Sequence, residues 1–336
     1  MKKNLSTIIL LFLIITTSII SVFIGAYDVN IKDLLAGDYN NLMLMLNSRL
    51  PRLFAILCTG MGMSVAGLIM QNICMNKFVS PTTGATISSA QLGIVIALTV
   101  LPTANLATKT GFAFVTSILG TWLFVWFIQK IKFKDVVMVP LIGIMFNSVI
   151  GGFVSYIAYE NDLTQILSNM LVGDFSLILA GRYEIVFLVI PLIIIAFIYA
   201  NHFNIVGMGE NFSKNLGVNY KFILFSGLSI AAIISASIVV TVGTISYIGL
   251  IVPNIVAMFK GDKIRGSLLD VALFGALFVL VCDVIGRIVI RPFELPIELI
   301  SGIVGSAVFI VLLFKRLSVG KPSKKNRQLM KKKGVA

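Results

Sequence analysis

Long apolar runs separated by short polar stretches dominate the chain. Ten of them read as membrane segments, at roughly Leu5–Ala26, Leu53–Ile73, Ala85–Leu101, Thr110–Ile131, Val136–Ala158, Ile185–Phe203, Phe222–Val242, Leu250–Phe259, Ser267–Ile290 and Ile297–Phe314. Crossing the hydrocarbon core takes about 20 apolar residues in a helix. Backbone groups in lipid must bond within their own segment, so such runs fold as helices. The pattern predicts an all-α, polytopic membrane bundle of about ten helices. Residues 1–316 form one membrane domain and 317–336 a basic tail. The first apolar run exceeds the 7–15 residues typical of a signal-peptide core, and no A-x-A-like site follows it. It reads as the first membrane helix.

Three interruptions stand out. Leu163–Leu179 is too polar to span and reads either as a short helix lining an outer vestibule or as a plain surface loop. In the loop 206–221, Gly209 and Gly217 bracket a short helical piece, Glu210–Leu216, carrying Glu210, Phe212, Lys214 and Leu216. A loop of this length with its own helix is usually functional, and this one reads as a knob for another protein. In Thr241–Asn254, Gly243, Gly249 and Pro253 leave too few residues for two full spans. A turn within the membrane and a short eighth helix are expected there, a feature often found near a transport path.

Composition supports the membrane class: 58% of residues are hydrophobic and 12% charged, against about a quarter charged in soluble domains. The net charge is +13, and its distribution matters more than its size. With both termini inside, 20 of the 27 Lys and Arg fall on the inner side, and only Lys32, Arg49, Arg52, Lys109, Arg182, Arg287 and Arg291 on the outer. This is the positive-inside bias, so the basic balance reports orientation in the cytoplasmic membrane rather than nucleic-acid binding. Cys58, Cys74 and Cys282 form no C-x-x-C pair, and His202 is the only histidine, so no metal site is expected. The chain has no phosphate-loop, H-E-x-x-H or G-x-S-x-G motif. It reads as a non-enzyme, and ATP hydrolysis would need a separate subunit.

Arg49 and Arg52 flank Pro51 and share one helical face at the outer end of the second helix, with Arg287 near the outer end of the ninth. Outward arginines suit bidentate capture of carboxylates; separate snorkelling of each guanidinium is the competing reading. Asp283 and Arg287, spaced i,i+4, read as a structural ion pair, because an acid inside a span is costly and usually paired. Gly60, Ser64 and Gly67 lie near one face of the second helix and permit close packing.

Taken in order, RLPRLFAILCTGMGMSVAGLIMQN (Arg49–Asn72), NKFVSPTTGAT (Asn76–Thr86), GENFSKNLGV (Gly209–Val218), VGTISYIGLIVPNIV (Val242–Val256) and Ala272–Arg316 resemble the FecCD family. These are permeases of iron-siderophore and cobalamin ABC importers. The resemblance covers essentially the whole chain. It implies a type II ABC importer permease with no cofactor of its own. Its partners would be a second permease subunit, identical or homologous, two cytosolic ATPase subunits that use ATP, and an extracytoplasmic substrate-binding protein. Arg49, Arg52 and Arg287 match the family's docking arginines, residues 206–221 its coupling loop, and Val136 and Val137 its inner gate. Finer likeness points to ferric siderophores, most like Gram-positive catecholate permeases. Haem or cobalamin is the alternative cargo. An ion-coupled secondary transporter is the rival from another class, and the single intramembrane acid, Asp283, counts against it.

Overall fold

Each of the ten apolar runs is helical in the computed structural model, which describes residues 2–25, 39–103, 105–131, 138–261 and 264–319. The helices are α1 (Lys2–Phe23), α2 (Leu50–Ile73), α3 (Thr86–Val100), α4 (Leu106–Lys130), α5 (Met138–Glu160), α6 (Thr164–Leu171), α7 (Val189–Ile198), α8 (Ala200–Val206), α9 (Glu210–Asn215), α10 (Tyr220–Val242), α11 (Ile248–Lys260), α12 (Ile264–Ile288) and α13 (Ile297–Val319). Among the described residues, six helices are long and apolar enough to cross a membrane, or seven if the bent pair α7–α8 counts as one span. Three shorter apolar helices, α3, α11 and the start of α13, occupy the remaining predicted segments. The fold is therefore an all-α, multi-pass membrane bundle.

α2 lies at its centre. Its small residues let four neighbours approach so closely that side chains would not fit. A Cβ on Gly60 would lie 2.4 Å from the Gly275 carbonyl oxygen of α12, and one on Gly67 would lie 1.9 Å from the Gly249 carbonyl oxygen of α11. At Gly62 a Cβ would meet Val189 of α7 at 2.7 Å and Ile234 of α10 at 2.9 Å. The expected packing face of Gly60, Ser64 and Gly67 is thus real and serves α12 and α11, and Gly62 adds α7 and α10. Without a hydrophobic force between helices in lipid, such van der Waals contact drives their association. α1 and α5 lie at the periphery, where Phe12, Ile15, Met145 and Phe153 are exposed.

The short eighth segment is α11. Pro253 cannot donate to the carbonyl of Gly249, four residues earlier. Gln71 Nε2 of α2 donates there instead, at 3.2 Å, and to the Leu250 carbonyl at 3.1 Å. The backbone group freed by proline is thereby satisfied from a neighbouring helix, as burial in a membrane protein demands.

The sixth segment differs from a single straight span. A 3-10 turn, Glu184–Leu188, leads into α7, and α7 and α8 meet at 63°. Asn204 on α8 accepts a hydrogen bond from the Ile264 backbone N–H at 3.0 Å, tying α8 to the start of α12.

Candidate functional site

Functional candidates gather at opposite ends of the bundle. One end carries the end of α1, the start of α2 and the end of α12. Met45–Arg49 forms a π-helical turn that runs directly into α2, with Pro51 at its first turn, where a missing N–H costs least. The turn aims Arg49 inward. Its Nη1 donates to the Ile24 carbonyl at 2.7 Å, and its guanidinium occupies the space beside Gly25 that a Cβ would fill. Arg52 donates through Nη2 and Nε to Asp283 Oδ1, at 2.7 and 3.2 Å, and through Nη1 to Glu294 Oε2 at 2.5 Å. Arg287 pairs with the other oxygen of Asp283 and donates to the carbonyls of Ser21 and Ile24, at 2.8 and 2.7 Å.

The expected Asp283–Arg287 pair is present, but it belongs to a larger network. The expected outward direction of the arginines is corrected. Arg49, Arg52 and Arg287 are only 8%, 8% and 3% exposed. The reason is energetic: so near the apolar zone, a guanidinium is held best by carboxylates and carbonyls that replace its lost water. Glu294 forms the lip of the network, with 18% of its side chain exposed. Sequence reasoning passed over it because its partner Arg52 lies 242 residues away. A clue was available: Glu294 is an acid in the connection that follows Arg287.

Near the same end, α6 and the chain after it close over the α10–α11 connection. Thr244 N donates to the Leu171 carbonyl at 2.9 Å, Asp174 N donates to the Val242 carbonyl at 3.0 Å, and Thr244 Oγ1 donates to Glu298 Oε1 at 3.1 Å. Gly243, at φ +93°, makes the turn that a side chain would strain. Leu163–Leu179 thus contains the short helix expected in one of its two readings, and the bonds above anchor the chain that follows it.

The opposite end carries the knob. Gly209 at φ +103° and Gly217 at φ +72° bracket α9. Ser213 is its buried anchor, donating to the Ile205 and Gly209 carbonyls at 3.1 and 2.8 Å. Phe212 and Leu216 are exposed, at 47% and 55%. Glu210 and Lys214 form a surface ion pair at 2.9 Å. The hydrogen bond from Lys214, and then its charge, hold the Glu210 carboxyl below the usual carboxylate range. Phe212 and Leu216 are thus held out to solvent on a short, glycine-bounded piece. Val136 and Val137, expected at a gate, lie outside the described residues.

Residues 11–315 match the FecCD transport family. The chain belongs to the FecCD transport family. It is similar to the petrobactin import system permease protein of Bacillus subtilis, with 45% identity over 91% of this chain and 97% of that protein. It is also similar to the ferric-anguibactin transport system permease protein of Vibrio anguillarum, with 38% identity over 88% of this chain and 94% of that one. Among solved structures, a metal-chelate type ABC transporter in an inward-facing conformation superposes with a TM-score of 0.79 at 24% identity, over 92% of this chain and 98% of that one. That likeness supports the fold. The chain is a transport permease of this family.

Proposed function

We propose that this chain is the membrane-spanning subunit of an ABC importer that brings a ferric siderophore, of catecholate type, across the cytoplasmic membrane. The supporting observation is the 45% identity, across nearly the full length of both chains, with a permease named for petrobactin import. In this reading the knob end faces the cytoplasm and the arginine end faces outward. The knob, through Phe212 and Leu216, seats on one of two ATPase subunits, and a second permease subunit completes the path. A delivery protein docks at the arginine end. Because the three arginines are turned inward, an incoming carboxylate reaches Arg52 by exchanging with Glu294 at the lip of the network.

Uptake of radio-iron loaded on a catecholate siderophore, in cells with and without the gene, tests the cargo. Loss of uptake in the deletion is expected. Unchanged uptake there, with loss of haemin uptake instead, would transfer the assignment to haem. Haem is the runner-up because a hemin transport permease of Yersinia pestis is 27% identical over 91% of this chain. Glu294→Gln tests docking: freeing Arg52 should tighten delivery-protein binding, and an unchanged affinity would remove Arg52 from the docking role.

A further inference from the structure

A cleft between α4 and α10, beside the knob, is used by none of the roles above. Its mouth is a cavity of about 460 Å³ lined by Met75, Trp126, Gln129, Lys130, Glu210, Tyr220, Lys221 and Phe225. A second cavity, of about 600 Å³, continues along the helices between Trp122, Phe222, Phe225, Ser226 and Ser229. Lys221 and Phe225 line both, so the two are one groove. We propose that this groove binds an anionic membrane phospholipid, with the phosphate at Lys130 and Lys221 and an acyl chain lying along Trp122, Phe222 and Phe225.

The chemistry at the mouth is cationic. Among the described residues, neither Lys130 nor Lys221 makes an ion pair with a carboxylate. Lys130 Nζ sits 4.1 Å above the Trp126 ring, a contact that leaves the ammonium its charge and its donors. The acid at the mouth, Glu210, is paired with Lys214 at 2.9 Å and feels the charge of Lys221 as a smaller influence. The N-terminus of α10, a 23-residue helix, opens at the same place, with Asn219 capping the Phe222 N–H. Its unpaired N–H groups and positive dipole end add to the field of the lysines.

The groove then turns apolar in the direction an acyl chain needs. From Lys130 back to Trp122, α4 descends about 12 Å toward the middle of the bundle. The walls there are aromatic, and they are open: Trp122, Trp126 and Phe222 are 37%, 48% and 59% exposed. The walls are also fixed. Trp122 Nε1 donates to Ser229 Oγ at 3.1 Å, and the Trp122 and Phe225 rings meet edge to face at 5.2 Å. Tryptophan and lysine at one level of a membrane helix mark the headgroup zone. Near an anionic surface each lysine is worth about 1 kcal/mol, a factor of about five in affinity.

The test uses the chain's own tryptophans. Trp122 and Trp126 are the only two, and both line the groove. The full chain would be reconstituted in phosphatidylcholine bilayers, and its fluorescence titrated with brominated phosphatidylglycerol or brominated phosphatidylcholine. The anionic lipid should quench at a clearly lower mole fraction. The K130Q/K221Q variant should lose that preference, by about fivefold per lysine, while quenching by the zwitterionic lipid stays the same. R182Q, at the opposite end, should change neither. Equal quenching by the two lipids, or a preference that survives K130Q/K221Q, would overturn the proposal. Reversal by excess inorganic phosphate would show a site for a soluble anion instead, and would also overturn it. Loss of the preference on assembly with the ATPase subunits would show that a protein covers the cleft, with the same consequence.

Discussion

The two ends of this bundle handle charge in opposite ways. At the arginine end, three guanidiniums are drawn inward and held by Asp283, Glu294 and backbone carbonyls of the same chain. At the knob end the ion pair lies on the surface, the small anchor Ser213 is buried, and the large apolar groups point out. The first arrangement makes its charges part of the structure. The second leaves the structure almost untouched by what its side chains do. Loss of a buried member of the arginine network should therefore fail by unfolding, and substitutions at the knob by loss of partnership.

The strongest test of that contrast is Asp283→Ala. It strands Arg52 and Arg287 in a buried site, and removing one member of a buried pair costs about 3–5 kcal/mol. The yield of folded chain in detergent and its thermal unfolding should both fall sharply. A stable variant would mean that the arginines can turn outward after all. Next in size is Gly60→Leu, because its Cβ would already lie 2.4 Å from the Gly275 carbonyl oxygen. Overpacking costs about 1–3 kcal/mol, and backbone yields less than side chain, so the upper end of that range is expected. Gln71→Leu leaves the Gly249 carbonyl without a donor, at about 1–3 kcal/mol, read as a lowered midpoint of thermal unfolding. At the knob, Phe212→Ala should move stability by no more than about 0.5 kcal/mol, yet cut transport and ATPase binding. A fall in stability comparable to that of Asp283→Ala would erase the contrast.

The smallest effect expected is a pH effect. Lys214 lowers the Glu210 pKa below its ordinary value of 4.5. A depressed carboxyl adds stability above the unfolded value, and loses it as pH falls through the folded one. Wild type should therefore be slightly more stable than Glu210→Gln from neutral pH down to about 4.5, and that difference should shrink as pH falls further. Because Glu210 is exposed, screening should keep even that difference small.

Much of this was legible in the sequence, for a local reason. Apolar runs report helices, small residues at +4 and +3 spacing (Gly60, Ser64, Gly67) report close packing, and Asp283 and Arg287 are one helical turn apart. The knob was legible too, because Gly209 and Gly217 mark its ends. What escaped notice lies far apart in the chain. Arg52 meets Asp283 across 231 residues and Glu294 across 242, and no periodicity encodes such a meeting. The inward turn of Arg49 depends on the hole beside Gly25, which exists only once α1 has packed. Nothing local in the sequence marks Gln71, at the end of the second apolar run, for a role. Its work, satisfying the carbonyl that Pro253 abandons, appears only when α2 and α11 are side by side.

The 63° elbow between α7 and α8 has a mechanical meaning. A force delivered along α8 acts mostly across the axis of α7, so it pries that helix sideways instead of driving it lengthwise. The first residue of α7, Val189, bears on α2 at Gly62, where no side chain cushions the contact. Levering at the knob would thus arrive at the central helix as a lateral shove on bare backbone, with little slack to absorb it.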